Sequence, residues 1–423
     1  MTFFHYRAGL LHAEDVPVDE IAAAAGTPVY IYSAAAMRAR YRSLAAALTG
    51  LRARICYAVK ANHNLAVIRT LAAEGAGADT VSWGEIARAH QAGVAPGRIV
   101  YAGVGKGDDE IRRALQLGIL QFNVESVEEM RRIAGIAAAM GRVAPVALRI
   151  NPDIGAGAHD KISTGRKGDK FGVAYQEAGQ VLGEAMRLPG IQPVGLHLHI
   201  GSQITELEPF AAAFARAAGV YRELKGSGVP LERLDLGGGL GVRYNDETPL
   251  DPVAYGLMLR DVLGDLDAEL VLEPGRWLVA EAGILVAGVL YPKMAEERHF
   301  LVLDAGMNTL LRPAMYGARH AILPVRRQDG AADQLVDVVG PICESSDIFG
   351  RAYALPPLES GDLVALTSAG AYGAVMMSDY NSRSSAAEVL IDGPDYAIVK
   401  AMRPVEEQFA DDRIPDWLPH PPS

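Results

Sequence analysis

The sequence predicts an α/β fold: a (β/α)₈ TIM barrel joined to a C-terminal, mostly antiparallel β-domain that also takes in the N-terminal segment. Two observations lead there. From Val29 to Arg276 short β-branched or aromatic runs alternate with alanine-rich stretches of helical periodicity, and after Glu281 the texture turns to β-rich runs and turns. At 423 residues, half of them hydrophobic, the chain has room for a barrel and a smaller partner domain.

The first 26 residues contain a strand-turn-strand pattern, "FFHYRAGLLHAE", which is assigned to the β-domain. Residues 27–281 then supply the strand candidates "VYIYS", "RICYAVK", "ADTVS", "RIVYAG", "LQFNVES", "PVALRIN", "VGLHLHIGS", "LERLDLGGG" and "ELVLEPGR". Between them, stretches such as "NLAVIRTLAAEG" and "VEEMRRIAGIAAAMG" repeat apolar residues at helical spacing and close on glycine. Repeated strand-helix units predict a parallel sheet, and about eight of them predict a closed barrel. An open doubly wound sheet is the alternative topology. Residues 282–423 carry "GILVAGVLY", "HFLVLDAG", "QLVDVVGPI", "DLVALTSAG" and "AAEVLIDG", a second β-rich domain, and end in the proline-rich "RIPDWLPHPPS".

Charge and cysteine content narrow the function. A net charge of −11 argues against a nucleic-acid partner, which needs a basic face. The longest apolar region, Leu278 to Tyr291, is interrupted by Glu281 and is too short for a membrane span. The N-terminus shows no basic flank leading into an apolar stretch, so no secretion signal is expected. Cys56 and Cys343 are too few for a disulfide scaffold or a cysteine zinc site, which favours a reducing cytoplasm.

Seven motifs offer chemistry. In "ICYAVKANH", alternation puts Cys56, Ala58 and Lys60 on one face of a strand, with the lysine at the carboxyl end where barrels hold catalytic groups. Burial there would lower the lysine pKa and favour attack on a carbonyl; the bland alternative is a solvated surface lysine. In "HLHIGSQ", His197 and His199 are either paired metal ligands or imidazoles packed on a flat ligand or core. No convincing further metal ligands accompany them, so no metal is expected. "DLGGGLG", one strand before "EPGR", either offers glycine N–H groups to an anion, as barrels often do in the loops after strands seven and eight, or only makes a tight turn. "EPGR" closes the last strand with Glu273 and Arg276, and a carboxylate inside a barrel mouth needs a cationic partner such as a protonated pyridine. Beyond the barrel stand Cys343 in "GPICESSD", Arg312 and Tyr316 in "DAGMNTLLRPAMYG", and Tyr372 in "SAGAYGAV".

Taken in order, "YAVKAN", "GADTVSWGE", "FNVES", "RINPD", "KISTG", "KFG", "HLHIGSQ", "DLGGGLG", "EPGR", "DAGMN", "RPAMY", "GPICESSD", "SAGAYG" and "YNSR" span nearly the whole chain. The ordered set resembles the fold type III, pyridoxal-phosphate-dependent amino acid decarboxylases. The resemblance implies pyridoxal 5′-phosphate as cofactor and a homodimer with two shared active sites. Lys60 would be the Schiff-base lysine with Asp79 beside it, and His199 would stack on the pyridine ring. Ser202, Gly237, Gly238, Gly239 and the Gly275-Arg276 backbone would surround the phosphate, Glu273 would hold the pyridine nitrogen, and Tyr372 would touch the cofactor. Cys343 of the partner subunit would return a proton to the substrate carbon. The resemblance further implies an amino acid substrate with two charged ends, meso-diaminopimelate, giving L-lysine and CO₂. Arg276, Arg312 and Tyr316 would take its distal carboxylate and Glu344 its distal ammonium. Ornithine, arginine or carboxylated polyamines, and racemisation of an amino acid, are the alternative chemistries. After "YNSR" the run "SSAAEVL" departs from the family's usual basic, proline-containing stretch, without touching an assigned residue. The basic loop His159 to Gly172 is either a lid or a surface loop.

Overall fold

The computed structural model describes residues 3–154, 171–328, 330 and 332–419. Eight parallel strands, Ala53–Ala58, Gly77–Thr80, Ile99–Tyr101, Gln121–Val124, Ala144–Asn151, Ile191–His197, Arg233–Asp235 and Glu269–Leu272, each pair with the next. The last pairs with the first and closes the barrel. An open sheet is thereby excluded. Helices Leu65–Ala73, Trp83–Gln91, Asp108–Leu117, Val127–Ala139, Ala178–Ala185, Glu208–Gly226 and Pro252–Leu263 make the crossovers. Helix Ala34–Ala47 precedes the first strand and packs between Leu65–Ala73 and Pro252–Leu263, which completes the outer ring.

Local chemistry sets these helix starts. Ser33, Asn64, Ser82, Ser126 and Asp251 each accept a backbone N–H of the first turn, which satisfies a donor the helix itself cannot. Alternation along the strands then divides their side chains. Cys56, Val100 and Val271 fill an apolar layer inside the barrel, while Tyr57, Ile55 and their counterparts pack outward against the helices. Asp79, Gln121, Asn123, Arg149, His197, Asp235 and Glu273 are all buried polar groups.

One strand sits elsewhere than its sequence texture implied. Val29–Ser33, counted first among the barrel candidates, pairs antiparallel with Gly283–Ala295 and parallel with Ala387–Asp392 in the second sheet. All five residues are buried, so the run lacks the one-sided alternation of a surface sheet and reads like a barrel strand. The 13-residue strand Gly283–Ala295 is the spine of the second sheet; it pairs with Arg298–Leu303, Leu363–Leu366 and Val29–Ser33. Strands Gln334–Val339 and Ile348–Leu355 extend one edge, and Asp395–Lys400 pairs with Ala387–Asp392 at the other. The N-terminal meander Phe4–Arg7, Leu10–Ala13 and Val16–Pro17 joins this domain through Leu11 N–H to Val325 O at 2.8 Å and shared packing of Leu11, Ile21, Ile284 and Val389. Among the described residues no helix is long and apolar enough to cross a membrane.

Barrel and sheet meet where residues 369–373 cross the barrel mouth. Gly370 N–H donates to Ala280 O at 3.0 Å, Asn62 Nδ2 donates to Gly370 O at 3.1 Å, and Tyr372 N–H donates to Ala61 O at 2.7 Å. A Cβ on Gly370 would lie 1.9 Å from Val279 O, so the crossing is closed to every other residue. Gly370→Ala is expected to destabilise the protein by about 1–3 kcal/mol, as overpacking does. Gly219→Ala, on a helix position where an added Cβ meets nothing within 4 Å, is expected to stabilise by about 0.5–1 kcal/mol. Thermal unfolding of the two variants checks the pair; equal midpoints would contradict the packing argument.

Candidate active site

The first barrel strand ends at Ala58, and Lys60 stands in the following 3₁₀ turn, Val59–Ala61, rather than on the strand face the alternation implied. The turn still delivers its ammonium to the mouth: Nζ donates to Asp79 Oδ2 at 2.8 Å. Asp79 lies on the neighbouring strand, in register with Ala58. The Lys60 side chain keeps 38% of its surface open to the cavity and Asp79 none. Burial on its own would lower the Lys60 pKa as expected from sequence, but the carboxylates of Asp79 and Glu273 outweigh it and hold the amine above its ordinary range. Burial and Glu273 in turn oppose a charge on Asp79, and the Lys60 ammonium counters them. The space beside Ala58 is taken by the "EPGR" turn: a Cβ on Gly275 would fall 3.0 Å from the Cβ atoms of both Ala58 and Ala61.

Glu273 follows the last strand and is buried at the barrel mouth. Asn123 Nδ2 donates to its Oε1 at 3.3 Å, and His197 Nε2 lies 3.4 Å from its Oε2, near enough for charge pairing. Burial pushes the carboxyl up, yet His197 and then Lys60 bring it to about 2. Asp235 beside it is pushed well above the carboxylate range by burial and by Glu273. Its oxygens accept from Asn123, Gln121 and the Gly237 N–H at 3.1, 3.3 and 3.1 Å. His197, Asp235 and Glu273 can each turn one atom toward a common point within 4.8 Å of one another. Such a point favours a cation, and a protonated ring nitrogen is one. His199 has a different environment from His197: its Nδ1 accepts Gly238 N–H at 3.2 Å, and burial together with Arg149 holds its ring neutral. The two imidazoles therefore do not form a ligand pair.

The glycine loop is shaped by close approach. A Cβ on Gly237 would meet Leu198 O at 2.5 Å, one on Gly238 would meet Glu273 O at 2.3 Å, and one on Gly239 would meet Gly201 O at 2.8 Å. With the N–H groups of Gly237 and Gly238 on Asp235 and His199, this loop fixes those side chains as well as tracing the pocket edge. Ser202 Oγ accepts from Arg276 Nη2 at 2.9 Å, which sets a hydroxyl and a guanidinium side by side.

Lys60, His199, Ser202, Arg276, Arg312, Tyr316 and Tyr372 all line one cavity of about 430 Å³. Tyr372 reaches it on a left-handed backbone, φ +54°, held by its N–H bond to Ala61, and its ring covers the Arg276 guanidinium at 4.8 Å. Gln203, Tyr244, Glu247 and Arg319 also line the cavity and were not foreseen. Gln121 and Asn123 did leave a trace, as amides at alternate positions of the otherwise apolar strand Gln121–Val124. Tyr244 and Glu247 left none, because they sit in an irregular loop beyond the glycines.

Cys343 and Glu344 are not on the cavity wall. Both are exposed in the loop before strand Ile348–Leu355, where Cys343 N–H donates to Asn381 Oδ1 at 3.0 Å and Tyr380 OH donates to Glu344. Asp347 gives this loop its shape by accepting the N–H groups of Met307 and Ile342, each at 2.6 Å. The segment His159 to Gly172 lies outside the described residues up to Lys170.

The residues fit pyridoxal phosphate. Asp79 Oδ1 and His197 Nδ1 are buried with no hydrogen-bond partner among the described residues, so the mouth holds polar capacity that the chain leaves unused. Lys60 suits an aldehyde, Glu273 a ring nitrogen, neutral His199 a flat ring face, and Ser202 with the glycine loop an anion.

Comparison with known proteins agrees with that chemistry. Residues 34–280 match the family described as pyridoxal-dependent decarboxylase, pyridoxal binding domain. The chain is 47% identical to the diaminopimelate decarboxylase of Pseudomonas aeruginosa over 98% of its own length and 99% of that protein. The crystal structure of diaminopimelate decarboxylase from Helicobacter pylori complexed with L-lysine superposes with a TM-score of 0.89 at 41% identity, over 92% of this chain and 98% of that one. The enzyme from M. jannaschii in co-complex with L-lysine gives a TM-score of 0.91 at 34% identity, over 97% of this chain and 98% of that one. With the Lys60 pocket, the matched barrel and full-length relatives in agreement, the chain belongs to the pyridoxal-dependent decarboxylases and, within them, to the diaminopimelate decarboxylase family.

Proposed function

We propose that this chain removes CO₂ from meso-2,6-diaminopimelate and releases L-lysine, the closing step of lysine biosynthesis, with pyridoxal 5′-phosphate anchored on Lys60. The observation that carries the substrate is the buried pair Arg276 and Arg312 in the cavity that Lys60 enters. Two guanidinium groups favour a substrate whose far end bears a carboxylate, and repel the purely cationic tails of ornithine, arginine or a polyamine. Relatives crystallised with L-lysine support the same reading.

When bound, the cofactor supplies an electron sink for the charge left on the α-carbon as CO₂ departs. The chain's own groups prepare for it. Asp79 holds the Lys60 amine at the mouth, and Glu273, ionised and held by His197 and Asn123, keeps a proton on the ring nitrogen. Neutral His199 would offer a flat face, and Ser202 with Gly237, Gly238, Gly239 and the Gly275-Arg276 backbone would take the phosphate, which leaves the Arg276 guanidinium for the substrate. Tyr372 covers Arg276 and narrows access for water. Arg312 and Tyr316 face the distal carboxylate.

The proton that replaces CO₂ is assigned to the Cys343 thiol of a second copy, and the distal ammonium to Glu344 of that copy, whose carboxylate Tyr380 orients. Both residues are exposed in the single chain, which supports a homodimer with shared sites. A working, unpaired surface thiol suits a reducing compartment, and the cytoplasm is the proposed location.

Measured CO₂ release from purified, pyridoxal-phosphate-loaded protein is expected with meso-diaminopimelate and not with ornithine, arginine or lysine, and the product is expected to be L-lysine. Preference for any of the others would defeat the arginine argument, and racemisation without CO₂ would defeat the decarboxylase assignment. For the shared site, Lys60→Ala and Cys343→Ala subunits, each inactive alone, should regain activity when mixed, since a heterodimer holds one complete site. Proven subunit exchange with no recovery would rule out donation from the partner.

A further inference from the structure

Two buried cations side by side repel each other, and something has to hold them at a useful spacing. Arg276 and Arg312 are separated by Tyr244. The phenol oxygen of Tyr244 accepts from Arg276 Nη1 at 2.6 Å, and the Arg312 guanidinium lies over the ring face, 4.2 Å from its centroid. One aromatic side chain thus meets one arginine through its hydroxyl and the other through its π cloud.

Its own position is secured on several sides. The Tyr244 N–H donates to Glu247 Oε2 at 3.0 Å, and the ring stands edge-on to His320, with centroids 5.1 Å apart. His320 also reaches Arg312. Its Nδ1 donates to Thr367 O at 2.8 Å, which fixes the tautomer and leaves Nε2 to accept from Arg312 Nη1 at 3.5 Å. Burial and the Arg312 charge hold His320 neutral, at about 3, so this acceptor persists across the working pH range. A continuous chain results, from Thr367 through His320, Arg312, Tyr244 and Arg276 to Ser202.

We propose that Tyr244 and His320 are positioning residues that hold Arg276 and Arg312 as a preformed receptor for the distal carboxylate of the substrate. This rests on reading the cavity as the site of a two-ended substrate, and adds to it the residues that set its specificity. Tyr244 also separates the 430 Å³ cavity from a larger one of about 790 Å³ between barrel and sheet. Replacement by phenylalanine removes the hydroxyl and keeps that wall, whereas leucine removes both the hydroxyl and the aromatic face.

The test is calorimetric binding of pimelate, a dicarboxylate without amino groups, to the cofactor-loaded protein, with cadaverine, a diamine without carboxylates, as control. Wild type is expected to bind pimelate. Tyr244→Phe, Tyr244→Leu and His320→Gln are each expected to weaken it by about tenfold or more, with cadaverine affinity unaltered. In turnover the KM for meso-diaminopimelate should rise by the same factor while kcat stays within about threefold. A merely structural role would instead lower the melting temperature and kcat and leave pimelate affinity as it was. The proposal is overturned if wild type fails to bind pimelate or if the variants bind it as wild type does. Wild-type CO₂ release, measured alongside, tests the substrate separately: pimelate binding without turnover of meso-diaminopimelate would keep the receptor and discard the substrate assignment.

Discussion

Three carboxyl groups, Asp79, Asp235 and Glu273, are buried around one barrel mouth, and each must be compensated. The Lys60–Asp79 pair at 2.8 Å is the pivot, because it joins a movable cation to a carboxylate with no exposure of its own. Around it the other two are managed differently. Glu273 stays ionised against His197, while Asp235 is driven toward its neutral form and accepts amide and backbone donors. Breaking a fully buried pair by removing one partner costs about 3–5 kcal/mol, and the open side of Lys60 reduces that cost here. A lysine that can leave its carboxylate without much loss is suited to exchanging partners during a reaction cycle.

The rest of the architecture serves to bring groups from distant parts of the chain to that mouth. The barrel strands deliver Asp79, Asn123 and His197, and their following loops deliver Lys60, Ser202 and Glu273. The second domain contributes Arg312, Tyr316 and Tyr372 across the joint at Gly370, where backbone passes backbone too closely for any side chain. The Tyr372 N–H bond to Ala61, one residue from Lys60, ties the two domains at the point of chemistry.

Much of this was legible in the sequence. Strand-helix alternation announced the barrel, and the β-rich texture after Glu281 announced the sheet, because both depend on local periodicity. Val29–Ser33 was misread because a strand buried on both faces looks the same in a barrel and in the middle of a covered sheet. Lys60, Glu273 and Arg276 stood out because charged residues at strand ends contrast with apolar surroundings, whereas the role of Arg312 came from the family resemblance. The resemblance placed Asp79 beside Lys60, but the raised Lys60 pKa was not legible, since it depends on Asp79 and Glu273 together outweighing burial, a balance set by the folded mouth. Tyr244 and His320 were invisible for a similar reason: their partners Glu247, Arg276, Arg312 and Thr367 come from separate segments with no shared spacing. Cys343 and Glu344 were singled out, yet one chain does not bring them to the cavity, which is what a site completed by a second copy would look like.

The central claim is that Lys60 rests as an ammonium held by Asp79, and waits for its partner to be exchanged. The most direct measurement is the titration of Lys60 by NMR in cofactor-free protein carrying ¹³C-methylated lysines, with Lys60→Arg to assign the resonance. The account predicts a midpoint above the ordinary 10.5 that moves down in Asp79→Asn. A midpoint below about 9 in the unaltered protein would mean that desolvation dominates and would contradict it.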